Sequence, residues 1–209
     1  MSSINCKLGV LSRPDGSALL TQGETTVMAG IYGPIEVKSQ KLLINKASVE
    51  VCYRPKAGLP GIGDKFYESI IQNICEAALV SVLYPRSSIL VVIQEMQNYG
   101  GLIACAVNAC CLALLSSGID MKFLIASVSC AMDNQGILHL NPDKIIWQNA
   151  TATFVFVFDS TVQRIVASHT SGSFSSLQYQ DALDLCKNGS KEVFEFYKTV
   201  IAQEISHES

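Results

Sequence analysis

Short apolar runs flank Gln22-Gly23-Glu24 between residues 17 and 32, a pattern that predicts a hairpin with Gly23 supplying the turn and Val27 to Tyr32 returning. Residues 45 to 53 alternate strictly, with Ala47, Val49 and Val51 on one face and Ser48, Glu50 and Cys52 on the other, as a half-buried strand does. The following loop, Arg54-Pro55-Lys56-Ala57-Gly58-Leu59-Pro60-Gly61, is dense in helix breakers and belongs at the surface. Past it, Phe66, Ile70, Ile74 and Ala78 recur once per helical turn behind a capping Asp64, so a helix is expected that lays its apolar face on a sheet and ends before Tyr84-Pro85. Ser88 to Glu95 then reads as a strand, and Leu102 to Leu115 as a buried helix stopped by Gly118. Strand, helix, strand and helix thus alternate through the middle of the chain.

Further on, Phe123 to Met132 and Ile137 to Leu140 flank the turn Asp133-Asn134-Gln135-Gly136 and form a second hairpin, and Thr151 to Phe158 pairs with Val162 to His169. From Ser176 to about Ile205, Tyr179, Leu183, Cys186, Val193, Tyr197 and Val200 keep one helical phase. Asn188-Gly189 could break that helix, but the unbroken phase favours a single long one. The pattern is that of an α+β protein with a mixed sheet, a βαβα core and a long C-terminal helix.

With 209 residues, 49% hydrophobic and 16% charged, the chain has enough apolar surface for one large core, and one domain is expected. A net charge of −3 argues against a free-standing polyelectrolyte binder, which carries a strongly basic face, so any nucleic-acid contact has to be local. The eight cysteines contain no Cys-x-x-Cys pair and mostly sit inside apolar periodic segments, as small buried hydrophobes of a reducing compartment do, so neither disulfides nor a metal are expected. Residues 1 to 9 show no secretory pattern, which points to the cytosol or nucleus, and the apolar run from Leu102 to Leu115 is too short to cross a bilayer.

The most telling segment is Asn98-Tyr99-Gly100-Gly101-Leu102-Ile103-Ala104-Cys105. Two glycines between a strand and a helix start can turn backbone N–H groups toward a phosphate. A phosphate nucleophile also needs a hydroxyl and a cation in the first turn, and Leu102 and Ile103 stand there instead. The same glycines could equally serve close packing. Other candidates are weaker. His139 alternates with Leu138 and Leu140 and reads as a solvent-facing strand residue, while Asp143 and Asp159 read as turn residues before they read as a carboxylate pair. Arg54, Lys56 and Lys65 flank the flexible loop as candidate RNA contacts or as ordinary solvated charges, and Trp147 is read as packing.

Several blocks together resemble the RNase PH family of phosphate-dependent exoribonucleases and the exosome ring subunits built on that fold. They are Leu11-Ser12-Arg13-Pro14-Asp15-Gly16-Ser17-Ala18, Gln22 to Gly30, Ile31-Tyr32-Gly33-Pro34, Asn45-Lys46-Ala47, the Pro55 loop, the Gly100-Gly101 helix start and Leu138-His139-Leu140. In order, they cover nearly the whole chain, and the resemblance implies one RNase PH-like domain over residues 1 to 209. It further implies that active members hold phosphate with a threonine or serine and an arginine where this chain has Leu102 and Ile103. Their RNA-binding helix arginines fall on the stretch that here contains Asn73 and Glu76, and two aspartates fall on Ile145 and Thr151. The pore-side position of the Pro55 loop in the family singles out Arg54, Lys56 and Lys65.

The expectation is a noncatalytic structural subunit of a hetero-oligomeric exosome ring. It would carry no cofactor, support 3'-to-5' RNA processing including that of rRNA, contact RNA weakly through the assembled channel, and reside in nucleus, nucleolus and cytoplasm. The alternative is a stand-alone homodimeric nuclease acting on RNA or DNA, with a noncanonical site built either on Asp143 with Lys144 or on the loop cations.

Overall fold

The computed structural model describes residues 3–36 and 43–208. Its strands form two sheets where the sequence pattern suggested one mixed sheet. The first contains β1 (Ile4–Leu8), β2 (Gly16–Gln22), β3 (Thr25–Glu36), β4 (Ser48–Arg54) and β5 (Ser87–Gln97) in the order β1-β2-β3-β5-β4. Only the β4–β5 pair is parallel, as its helical crossover requires. The second holds β6 (Ile125–Met132), β7 (Leu138–Leu140), β8 (Ala152–Asp159) and β9 (Ile165–Gly172), all antiparallel, in the order β7-β6-β8-β9.

Four α-helices and a short 3-10 helix at Ser81–Leu83 complete the described fold: α1 (Ile62–Ala78), α2 (Leu102–Ser117), α3 (Lys144–Asn149) and α4 (Ser176–Glu208). The second helix lies between the sheets, against β2 and β3 on one side and β6 on the other, so every residue from Leu102 to Leu114 is buried. A helix enclosed on all sides needs apolar residues all round, which is why this stretch shows no polar face. On β4 sits α1, its Cys75 next to Cys110 and Cys111 of α2, while α4 covers β6 and β8. The βαβα core and the single long C-terminal helix are both as expected. Gly189 does not break α4; it lies against the second sheet, where a Cβ would stand 3.0 Å from Leu140 Cδ2.

One polar cluster ties these layers together. Asn108 in α2 is 1% exposed and accepts hydrogen bonds from Ser127 N–H (2.7 Å) and the Tyr197 hydroxyl (3.0 Å). Its amide donates to the Ser127 carbonyl (2.9 Å) and to Gln22 Oε1 (3.4 Å). A single side chain thus joins α2 to β6, α4 and β2.

The first helix departs from its expected start and phase. It begins at Ile62 after Gly61, and Asp64, rather than capping from outside, reaches back from the first turn to accept the Gly61 N–H at 2.8 Å. Its buried residues are Ile71, Ile74, Cys75 and Ala78, so Phe66 is left half exposed and instead meets the His169 ring of β9 edge-on at 5.2 Å.

Candidate functional site

The fold brings the β2–β3 turn, the end of β5, the start of α2 and the segment after β7 to one place, the glycine pair. Gly100 and Gly101 both have positive φ, 109° and 61°, and each is also pressed by a neighbour. A Cβ on Gly100 would stand 2.8 Å from the Pro142 carbonyl oxygen, and one on Gly101 would stand 2.6 Å from Ser129 Oγ. Thr25, which is buried, secures the turn by donating to the Gly100 carbonyl (2.7 Å) and accepting the Tyr99 N–H (3.0 Å). Left-handed backbone and close packing together favour glycine at both positions.

Two cavities open on either side of the pair. One of about 310 Å³ is lined by Gln22, Glu24, Thr25, Tyr99, Cys105, Ser129, Asn141, Asp143 and Lys144 among others. The other, about 320 Å³, lies between Tyr67 of α1 and Lys144, Trp147 and Gln148 of α3, with Leu102 and Ile103 at its base. Lys144 is the sole lysine or arginine on either wall among the described residues, and its ammonium sits 5.4 Å over the Tyr99 ring. Glu24 and Asp143 face the same space, so carboxylates outnumber cations around the first cavity. Cys105 offers no nucleophile there, because burial pushes its thiol up to about 12 and leaves it protonated.

At the helix start itself, Leu102 and Ile103 are 8% and 7% exposed and join the central core cluster. Ile145 is 74% exposed on α3, while Thr151 follows that helix and donates to Asn134 Oδ1 at 2.8 Å. The stretch from Lys144 to Asn149, which carried no secondary-structure expectation, forms the short α3, and the strand expected from Thr151 begins at Ala152. Asn73 lies exposed on α1, and Glu76 accepts from Gln72 (3.2 Å) and pairs at 4.0 Å with Lys46. Neither lines the two cavities.

Of the loop cations, Arg54 and Lys56 are exposed, but Lys65 is bound to Glu68 at 2.7 Å, so its charge is offset and it is the weakest of the three RNA candidates. Trp147 is half buried and packs over Gly100, in keeping with its reading as a packing residue. His139 is not a freely solvated strand residue: it is half buried and its Nε2 lies 3.3 Å from Asp133 Oδ2. The Asp133 carboxyl is held below the usual range, first by the Ile137 N–H and then by His139 and Gln135, while the residual burial works the other way. Asp159 is the last residue of β8, and its carboxylate serves the turn that follows by accepting the Val162 N–H at 2.7 Å. All eight cysteines are unbridged, and no cluster of three metal-ligating side chains occurs among the described residues. Thr25, Tyr67, Ser129 and Asn141 were invisible as site residues in the sequence, because only folding brings these distant segments beside the glycines.

Residues 1–120 match the family model of the 3' exoribonuclease family, domain 1. With that match and the fold in which the glycine pair is set, the chain belongs to the RNase PH family of 3' exoribonucleases. Within it the chain is similar to Rrp46 proteins. It is 35% identical over 166 residues to the exosome complex exonuclease RRP46 homolog of Arabidopsis thaliana, covering 79% of this chain and 70% of that one. It is also 31% identical to the exosome complex component rrp46 of Schizosaccharomyces pombe, covering 93% and 88%. The crystal structure of rice (Oryza sativa) Rrp46 superposes with a TM-score of 0.92 at 29% identity, covering 97% of this chain and 95% of that one.

Proposed function

We propose that this chain is a noncatalytic subunit of an exosome ring, where it forms part of the scaffold and channel for 3'-to-5' RNA processing and degradation, with its place of work the nucleus, nucleolus and cytoplasm. Assembly with other RNase PH-like subunits is supported by its likeness to an exosome complex component of Schizosaccharomyces pombe and to an exosome complex exonuclease homolog of Arabidopsis thaliana. The observation that carries the noncatalytic part is the burial of Leu102 and Ile103 at the helix start, with a single lysine on the walls around it. A phosphate brought there would meet two aliphatic side chains, two carboxylates and one cation already engaged with an aromatic ring. Loss of one preorganised donor typically costs ~3–4 kcal/mol of transition-state stabilisation, about 10²–10³ in rate, and here the hydroxyl, the arginine and the acids that the family resemblance assigns to these positions are absent together.

The test is phosphorolysis by the purified chain of a 5'-labelled single-stranded RNA with inorganic phosphate. No nucleoside diphosphate is expected. Phosphate-dependent release of nucleoside diphosphates would overturn the noncatalytic reading. Phosphate-independent cleavage lost on Asp143→Asn would instead support the stand-alone nuclease.

A further inference from the structure

We infer that the cavity beside the β2–β3 turn binds a guanine base through the side-chain amide of Gln22; every residue involved belongs to this chain, so the site is independent of the proposed place in a ring. Gln22 ends β2 and is 8% exposed, and the direction of its amide is fixed from the core. Asn108 takes the Ser127 N–H on its oxygen and gives its Nδ2 to the Ser127 carbonyl, so it is a nitrogen that faces Gln22 at 3.4 Å. Only an oxygen accepts from it, which turns Gln22 Oε1 inward and leaves Nε2, with its two N–H groups, on the other side. That nitrogen bonds to no group among the described residues, where the Ser127 hydroxyl is the one fully enclosed side-chain atom without a partner. Gln22 Nε2 is therefore not enclosed, and it opens on the cavity of about 310 Å³ that Gln22 lines.

The other buried polar side chains of that wall are engaged. Ser129 Oγ donates to Asn141 Oδ1 at 3.3 Å, the Cys105 thiol lies 3.7 Å from the Leu20 and Thr25 carbonyls, and the Thr25 hydroxyl serves the Gly100 carbonyl and the Tyr99 N–H. The cavity thus has a preset donor on its buried side and, on its exposed side, the carboxylates of Glu24 and Asp143 beside Lys144. Such walls suit an uncharged group with acceptors at one edge and N–H donors at another, the form of a nucleobase. Guanine matches them best. Its O6 and N7 accept from one amide, while its N1–H and amino group stand side by side for a single carboxylate, the strong bidentate pairing. Adenine and cytosine offer one amino group next to a ring nitrogen whose lone pair a carboxylate repels, and the N3–H of uracil stands between two oxygens. Nor can Gln22 read adenine with both arms of its amide, because Asn108 holds the oxygen. A water at the Gln22 donor takes up only about 30 Å³, and a base that displaces it returns the same hydrogen bond while filling the rest of the space. A free nucleoside and an RNA strand are the two sources of such a base.

The test is titration of the isotope-labelled full chain with guanosine, inosine, adenosine and uridine, read at the side-chain amide signals of Gln22 after their assignment by triple-resonance spectra. Guanosine is expected to shift those signals and to approach saturation by about 1 mM. Inosine, which lacks the amino group, should bind about tenfold more weakly, and adenosine and uridine more weakly still. Gln22→Met keeps the length of the side chain without the donor and should bind guanosine about tenfold less, with Tm reporting whether it folds. The comparison of nucleosides uses the wild type alone, so it stands even if that variant folds poorly. A decauridylate carrying one internal guanosine, set against plain decauridylate, separates the sources: tighter binding of the guanosine-bearing strand than of guanosine makes RNA the source, and weaker or equal binding makes it the free nucleoside. Guanosine that leaves the Gln22 signals unmoved up to about 1 mM, or that adenosine or inosine matches, overturns the inference. Undiminished binding by a folded Gln22→Met overturns it as well.

Discussion

Replacing Asn108 tests the packing account at its most concentrated point. The Asn108→Leu variant keeps the branched heavy-atom outline of the side chain and replaces the amide by two bulkier methyls, so no void is left and a loss reports the missing hydrogen bonds together with any crowding of the methyls. In the wild type that amide satisfies Ser127 N–H and Ser127 C=O and receives the Tyr197 hydroxyl. Tyr197 retains the Ile125 carbonyl at 3.2 Å as an alternative acceptor, and so adds little. The two Ser127 backbone groups face α2 with no replacement partner, since β7 pairs with β6 only from Cys130 onward. At about 1–3 kcal/mol for each buried polar group left unpaired, the expected loss is about 2–6 kcal/mol, which in a chain of this size corresponds to a fall in Tm of roughly 4–24 °C. Urea unfolding followed by circular dichroism, with the slope unchanged and the midpoint lowered, is the assay. A loss below about 1 kcal/mol would refute the claim that this side chain locks the layers together. Ser127→Ala is the matching control: the Ser127 hydroxyl is buried and has no partner, so its removal should be neutral or slightly stabilising.

Restoring the family's phosphate pair by Leu102→Thr/Ile103→Arg should not restore phosphorolysis, because the acidic positions stay empty, and should lower stability by about 3 kcal/mol or more as a guanidinium enters the core; the RNA assay and urea unfolding read the two effects. Gly101→Ala forces a left-handed backbone on a residue whose new Cβ would meet Ser129 Oγ at 2.6 Å, so a loss of about 2–3 kcal/mol is expected, and an unchanged midpoint would show that the close approach is soft. Asp133 has a lowered carboxyl in the folded state, so what it contributes is fully present above its unfolded value and is lost as pH falls through the folded one. Asp133→Asn should accordingly destabilise at neutral pH and flatten the dependence of stability on pH below about 4, measured as Tm across that range.

The middle of the chain was legible because its periodicities are those of elements packed on one or both sides. Leu102 to Leu115 could only be a buried helix, and the phase from Tyr179 to Val200 survived Gly189 because the glycine answers a contact with Leu140 rather than a turn. What escaped had no such signature. Every residue of β1 is half buried or exposed, and α3 buries none of its six residues, so neither leaves a hydrophobic stripe. In α1 the apolar residues fit two phases, and the one realised buries Ile71, Ile74, Cys75 and Ala78 and leaves Phe66 to the His169 ring. The division of the strands into two sheets is a matter of long-range pairing that no local pattern encodes. At the candidate site, Leu102 and Ile103 stood out because they interrupt an expected chemistry. The packing that makes the glycines necessary, from Ser129 and Pro142, lies too far along the chain to be foreseen.

The central claim is that this fold is kept for assembly, and the most direct measurement is the native mass of the complex captured on this chain from a gentle lysate. The account predicts a mass that decomposes into this chain in fixed ratio with other RNase PH-like subunits. A chain recovered only as a free monomer or homodimer would contradict it.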